Sequence, residues 1–187
     1  MSTWVWILII AAIVLVVLMI AFGATRRRQR TTQLREGFGP EYDRTVEDAG
    51  SRRRAESELA ERQERREQLD IRPLTPAARD RYMDRWRDTQ THFVDDPGSA
   101  VGGADSLVQE VMRERGYPTD DFEQRAADIS VDHPHIVEHY RAAHDISQSH
   151  ERGEASTEDL RQSLVHYRAL FEELLETGPR ERVEAGR

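Results

Sequence analysis

Four of the seven histidines fall within one short stretch, His133-Pro-His135-Ile-Val-Glu138-His139-Tyr-Arg-Ala-Ala-His144. From His135 to His139 this has the form H-x-x-E-H. In zinc hydrolases that spacing sets two imidazole ligands one turn apart on a helix, with the glutamate as general base. On that reading His135 and His139 hold an ion and Glu138 deprotonates its water. A catalytic zinc needs a third protein ligand, and the downstream acids Glu172 and Glu173 are the candidates. Both turn away from the apolar stripe of their own segment. The plainer reading is preferred: His135 and His139 flank the apolar pair Ile136 and Tyr140 as boundary histidines, satisfied by neighbours or water. Three fixed positions in five are cheap in a chain this rich in His and Glu.

Other chemistry is sparse. There is no cysteine, hence no disulfide, thiolate metal site or cysteine nucleophile. There is no lysine either, so all 27 basic residues are arginine, which removes Schiff-base chemistry and any P-loop lysine. No G-x-S-x-G elbow frames a serine, and Gly102-Gly103 lacks the preceding strand of a nucleotide loop. No catalytic residue and no cofactor is assigned.

The elements that would carry these residues are all helical; no segment alternates with period two. Trp4 to Phe22 is 19 residues without charge or strongly polar side chain. As a helix it spans about 28 Å, near the roughly 30 Å of a bilayer core. Trp4, Trp6 and Phe22 lie near its ends, where aromatic rings favour the interface, and Arg26, Arg27, Arg28 and Arg30 follow at once. With no basic residue before the span, the positive-inside bias puts the N-terminus outside and the remainder at the cytoplasmic face of a plasma membrane. A cleaved signal peptide would want a basic start and a shorter apolar core. Ala11 and Ala12 are the only small residues in the middle of the span, and no GxxxG pattern signals helix pairing.

Charge is polarised along the chain. Arg26 to Arg54 holds 9 arginines against 5 acids, whereas Ala55 to Arg187 holds 18 against 30, giving −8 in all. An acidic body argues against nucleic acid, which needs cations facing phosphates. The bilayer itself is one expected partner, and a protein partner or weak self-association is another.

Residues 23–72 read as a basic juxtamembrane segment and a charged helical stalk. Gly37, Gly39 with Pro40, and Gly50 punctuate it. Ser51 to Asp70 has Ala55, Leu59 and Leu69 as its sparse apolar points, with Glu58–Arg62 and Glu61–Arg65 as i,i+4 pairs. That stripe is too thin for a coiled coil, so a solvated stalk is expected.

Residues 73–177 read as a small bundle of five helices. Thr75 and Pro76 form an N-cap and N1 pair ahead of a helix bearing Tyr82, Trp86 and Phe93. This aromatic stripe could dock a partner, but at helical spacing core is the better reading. A second helix repeats Val101, Ala104, Leu107, Val108 and Val111, with Gly116 placed as C′. Asp120 and Glu123 have capping-box spacing for a third, which carries Phe122, Ala126 and Ile129. Pro134 starts a fourth with Ile136, Tyr140 and Ala143. Ser156 and Asp159 cap the last, whose stripe is Leu160, Leu164, Tyr167, Phe171 and Leu174. Gly178 and Pro179 stop it, and 178–187 reads as a disordered tail. The fold class expected is therefore all-α: one N-terminal transmembrane helix at 4–22, a stalk, and a C-terminal bundle.

The segments GFGPEYDRTVED, ERREQLDIRPL, RWRDTQTHFVDDP and VMRERGYPTDDFEQRAADISVDHPHIVEHYRAAH span residues 37–144. They resemble a family of small membrane-anchored proteins from high-GC Gram-positive bacteria that has no assigned function. The resemblance implies a bacterial plasma membrane and no mechanism. The functional expectation is a non-enzymatic, membrane-tethered helical module with a protein-interaction or scaffold role. The alternatives are a metal-dependent hydrolase built on His135, Glu138 and His139, and a structural protein of the cell envelope or of stress.

Overall fold

The structure, a computed structural model, describes residues 3–119 and 121–176; within the first helix it describes side chains selectively before residue 28. Among the described residues there are eight α-helices and no strand: α1 Thr3–Phe38, α2 Pro40–Ala49, α3 Arg52–Gln68, α4 Pro76–His92, α5 Pro97–Arg115, α6 Phe122–Asp132, α7 Val137–Glu151 and α8 Thr157–Glu176. The chain is all-α, and its C-terminal part is a helical bundle.

Local chemistry sets most boundaries. The Thr75 hydroxyl accepts from the Ala78 amide and Pro76 opens α4. Asp96 does the same for α5 through Ser99, with Pro97 behind it. Ser156 and Asp159 form a reciprocal cap on α8. Each such cap is worth about 1 kcal/mol. Gly116 ends α5 at φ +99°, a conformation that costs an L side chain about 1–2 kcal/mol. Asp120 lies outside the described residues; the N-cap of α6 is Asp121, whose carboxylate accepts from Gln124.

The main core lies between α4, α5, α7 and α8. The stripe Leu160, Leu164, Tyr167, Phe171 and Leu174 meets Val101, Ala104, Leu107, Val108 and Val111 of α5 and Tyr140 and Ala143 of α7. Tyr82 and Trp86 are buried with them and Phe93 packs against their edge, so the aromatic stripe is core. Trp86 stacks on Phe171 with ring centroids 4.7 Å apart.

A second, smaller core corrects the picture of a solvated stalk. Leu34 and Phe38 at the end of α1, Tyr42 of α2 and Leu59 of α3 form a separate buried cluster, with Val46 and Val131 against it. Ala55 is buried as well. The thin stripe is enough because α2 and α3 fold back beside α1 as a hairpin, sharing one small core rather than each needing a full face. Gly50, at φ +64°, makes that reversal.

Two further expectations shift. Pro134 does not start a helix: residues 134–136 form a turn and α7 begins at Val137. The polar stretch from Gln148 to Gly153, which by composition reads as a loop, instead continues α7 to Glu151. Gly178, Pro179 and the tail 178–187 lie outside the described residues.

α1 is one unbroken helix of 36 residues, about 54 Å long. Among the described residues no helix is long and apolar enough to cross a membrane. Of the run Trp4–Phe22, only Trp4, Leu15, Leu18, Met19 and Phe22 have described side chains, and all five are exposed, from 59% to 74%. The side chains of Trp6 and Arg27 lie outside the described residues, whereas Arg26, Arg28 and Arg30 are exposed.

Candidate functional site

The turn at 133–136 decides the fate of the H-x-x-E-H motif. His135 sits in the turn, half exposed, with Nε2 3.7 Å from Glu173 Oε2. His139 sits in the first turn of α7 and places Nδ1 2.8 Å from Nδ1 of His166 on α8. Glu138 is exposed. The two would-be ligands therefore do not share a helix edge, because the turn that follows Pro134 leaves His135 ahead of α7. Among the described residues no group of three or more His, Asp or Glu side chains is placed to hold a metal ion.

What the structure builds instead is a polar seam between α7 and α8. His133, buried, sets Nδ1 2.8 Å from Glu173 Oε1. Its burial holds the imidazole below its usual pKa, against the pull of the Glu173 carboxylate. Glu173 is thus drawn half inward, contrary to the outward face expected for it, while Glu172 stays exposed and pairs with Arg168 at 2.7 Å. The contact between His139 and His166 requires one ring to donate and the other to accept, so the two hold complementary tautomers. Burial, and then the neighbouring His139, lower the pKa of His166.

A second charged cluster joins the α2–α3 hairpin to the body. Glu41 of α2 is almost wholly buried, and its Oε1 accepts from Arg62 of α3 and Arg141 of α7, both at 2.8 Å. Arg62 also reaches Glu58 at 2.6 Å and donates to the Ser130 hydroxyl of α6. Burial pushes the Arg141 guanidinium below its ordinary value while Glu41 opposes that shift. Glu41 Oε2 and Arg141 Nε and Nη1 are buried without a hydrogen-bond partner among the described residues. One carboxylate thus serves two buried cations, and four helices meet at it. Beside it, Asp132 binds Arg66 of α3 and the Tyr117 hydroxyl, the latter at 2.7 Å.

These residues were missed because their partners are remote in sequence. One local signal existed. Arg141 stands four residues after Val137 and next to Tyr140, on the apolar side of α7, where an arginine needs a buried counter-charge. Nothing in the neighbourhood of Glu41 names Arg141.

The third feature is a shallow groove between α4 and α8. One section of about 260 Å³ has Met83, Trp86, Phe171 and Leu175 as its apolar floor, with Arg79, Arg87 and Arg168 among its rim residues. A section of about 540 Å³ continues past Pro73, Leu74 and Pro76. Met83 is 39% exposed, and the Trp86 indole N–H is buried without an acceptor among the described residues.

No family model matches the chain, and neither the curated proteins nor the solved structures contain a significant match to it.

Proposed function

We propose that the chain is a single-pass membrane-anchored helical module. It carries a compact body at the cytoplasmic face of the plasma membrane, with the N-terminus outside, and serves a protein-interaction or scaffold role. The observation that carries this reading is the course of α1. One helix contains the uncharged run Trp4–Phe22, then the arginines at 26, 28 and 30, and then Leu34 and Phe38 inside the second core. Every described side chain of the run is exposed. Exposed aromatic and aliphatic side chains on a run of bilayer length are stable in hydrocarbon and costly in water.

Because α1 ends inside a packed cluster, the body would ride on the anchor as a rigid extension, held at one distance and one angle. That suits a scaffold more than a diffusing enzyme on a flexible tether. The groove between α4 and α8 is the face offered for a partner. Its apolar floor with charged margins has the anatomy of an interface core and rim.

The test uses the full chain in cells. After an alkaline carbonate wash the protein should stay with the membrane pellet, and protease added outside intact cells should leave the body undigested. A photo-crosslinker at Met83 should then capture one reproducible protein. Recovery in the carbonate supernatant overturns the anchor. External digestion of the body overturns the orientation. A crosslinking pattern no different from that of a probe at Arg161, on the exposed face of α8, overturns the docking face.

A further inference from the structure

The first turns of α1 beyond the apolar run leave a cleft against α3. Its described lining is Arg26, Arg30, Gln33 and Leu34 from α1 and Ala60 and Gln63 from α3, and it is an open depression of about 820 Å³. The α1 residues share one helix face, spaced by four, three and one. Above the cleft the helices close: Thr31 donates to Glu56 at 2.8 Å, and Leu34 and Leu59 share the second core. The described lining contains no acid. Two arginines and two glutamines therefore line one open space, and all four side chains can donate hydrogen bonds.

The position of the cleft along α1 names the ligand. Arg26 and Arg30 follow Phe22 by about 6 and 12 Å of helix rise. Headgroups fill roughly 5–8 Å on each side of the hydrocarbon core. Side chains on a helix lean toward its N-terminus, which here is toward the apolar run. Arg26 shows that lean, its guanidinium lying over the Phe22 ring at 4.6 Å. Both arginines thus reach back into the headgroup layer. Their ordinary carboxylate partners are missing: among the described residues, neither has a salt bridge, whereas Arg35 further along α1 pairs with Asp43.

We propose that this cleft binds the phosphate group of an anionic phospholipid, held by Arg26 and Arg30 with Gln33 and Gln63 as neutral donors. The proposal rests on the membrane-anchored reading and goes beyond it: a basic collar attracts any anionic surface, whereas a cleft with a second wall on α3 retains one lipid. Phosphate recognition by paired guanidinium groups is strong because the hydrogen bonds are charge-assisted.

The experiment reconstitutes the full chain into nanodiscs of phosphatidylcholine with phosphatidylglycerol, releases it into mild detergent, and counts retained lipid by native mass spectrometry. Four variants are compared. Gln63→Glu puts a carboxylate on the α3 wall without touching the collar, and Gln162→Glu makes the same change on the exposed face of α8. Arg30→Gln removes a cleft charge, and Arg28→Gln removes one outside the lining. Wild type, Gln162→Glu and Arg28→Gln should each retain one phosphatidylglycerol. Gln63→Glu and Arg30→Gln should retain about fivefold less, the factor expected for one charge near an anionic surface. Equal retention by Gln63→Glu and Gln162→Glu overturns the proposal.

Flotation with pure phosphatidylcholine vesicles separates the two readings. A chain that fails to float sinks the anchor, whereas one that floats but retains no phosphatidylglycerol sinks only the cleft. Inorganic phosphate, titrated into the lipid-free chain in detergent, distinguishes the source. Thermal stabilisation by phosphate that Gln63→Glu abolishes, in a chain that retains no phosphatidylglycerol, would assign the cleft to a soluble anion and overturn the lipid assignment.

Discussion

Replacing Glu41 by glutamine should loosen the hairpin formed by α2 and α3 from the body. The Glu41 side chain is 1% exposed, and its two cationic partners are 9% exposed at Arg141 and 14% at Arg62. Removing one partner of a buried ion pair costs about 3–5 kcal/mol, because the remaining charge is left uncompensated. The two arginines do not suffer equally. Arg62 keeps Glu58 and Ser130. Arg141 keeps nothing among its described contacts, since its Nε and Nη1 already lack acceptors.

The glutamine carbonyl can still accept one hydrogen bond, so the cost should sit near the lower end, about 3 kcal/mol, and Glu41→Ala should approach the upper end. For a domain of this size about 3 kcal/mol corresponds to a drop in Tm of roughly 6–12 °C. Because Leu34, Phe38, Tyr42 and Leu59 form a cluster separate from the main core, opening should begin locally. Hydrogen exchange of the full chain in detergent should rise across α2 and α3 while α5 and α8 keep their protection. The double variant Glu41→Leu with Arg141→Leu should recover much of the loss, since it removes charge and counter-charge together. A Glu41→Gln protein with Tm within about 2 °C of wild type and unchanged exchange in α2–α3 would refute the argument that this carboxylate holds the hairpin.

Three further outcomes are expected. Gly116→Ala should destabilise by about 2 kcal/mol or more in urea unfolding, because it combines a left-handed backbone with a new Cβ pressed on the Asp70 carbonyl oxygen; a loss under about 0.5 kcal/mol would show that the loop at 69–73 yields freely. Stability should fall as pH drops below about 6.5, the ordinary histidine value. Burial depresses the folded-state pKa of His133 and His166, so the unfolded chain binds these protons first and the folded state loses ground as pH descends through the depressed values. The urea midpoint should therefore be lower at pH 5.5 than at pH 7.5, with a smaller difference in His133→Gln; a flat profile removes the linkage. Zn²⁺ added to the full chain should show no saturable site of micromolar affinity dependent on both His135 and His139, whose i,i+4 relation the 133–136 turn breaks; calorimetric binding lost in either His135→Ala or His139→Ala would reverse that conclusion.

Much of the architecture was legible because it depends on neighbours within a turn or two. The stripe from Leu160 to Leu174, the Thr75–Pro76 start, the Ser156–Asp159 cap and the Gly116 stop are statements about helical period and orphaned backbone groups. Each has a partner within four residues, so tertiary structure had little to add. The Tyr82–Trp86 stripe was read as core for the same reason, and Phe171 supplied the stacking partner. The apolar run Trp4–Phe22 is equally local: its length and lack of charge are complete before any folding.

The clusters that could matter for function were decided in three dimensions. Glu41 meets Arg141 across 100 residues and His133 meets Glu173 across 40. A charged residue is buried only if another element delivers its counter-charge, and no spacing along the chain announces that delivery. The stalk shows the same principle for apolar contacts. Leu59 and Ala55 are too few to bury a face alone, yet Leu34, Phe38 and Tyr42 complete the cluster once Gly50 turns α3 back. Conversely, H-x-x-E-H is a helical motif only where one helix carries both histidines, and the turn after Pro134 holds His135 outside α7, which begins at Val137. Sequence alone indicated most of the helices and the apolar stripes of the C-terminal bundle; only the tertiary structure chose which buried charges face one another, because that choice is a property of pairs of helices and not of either one.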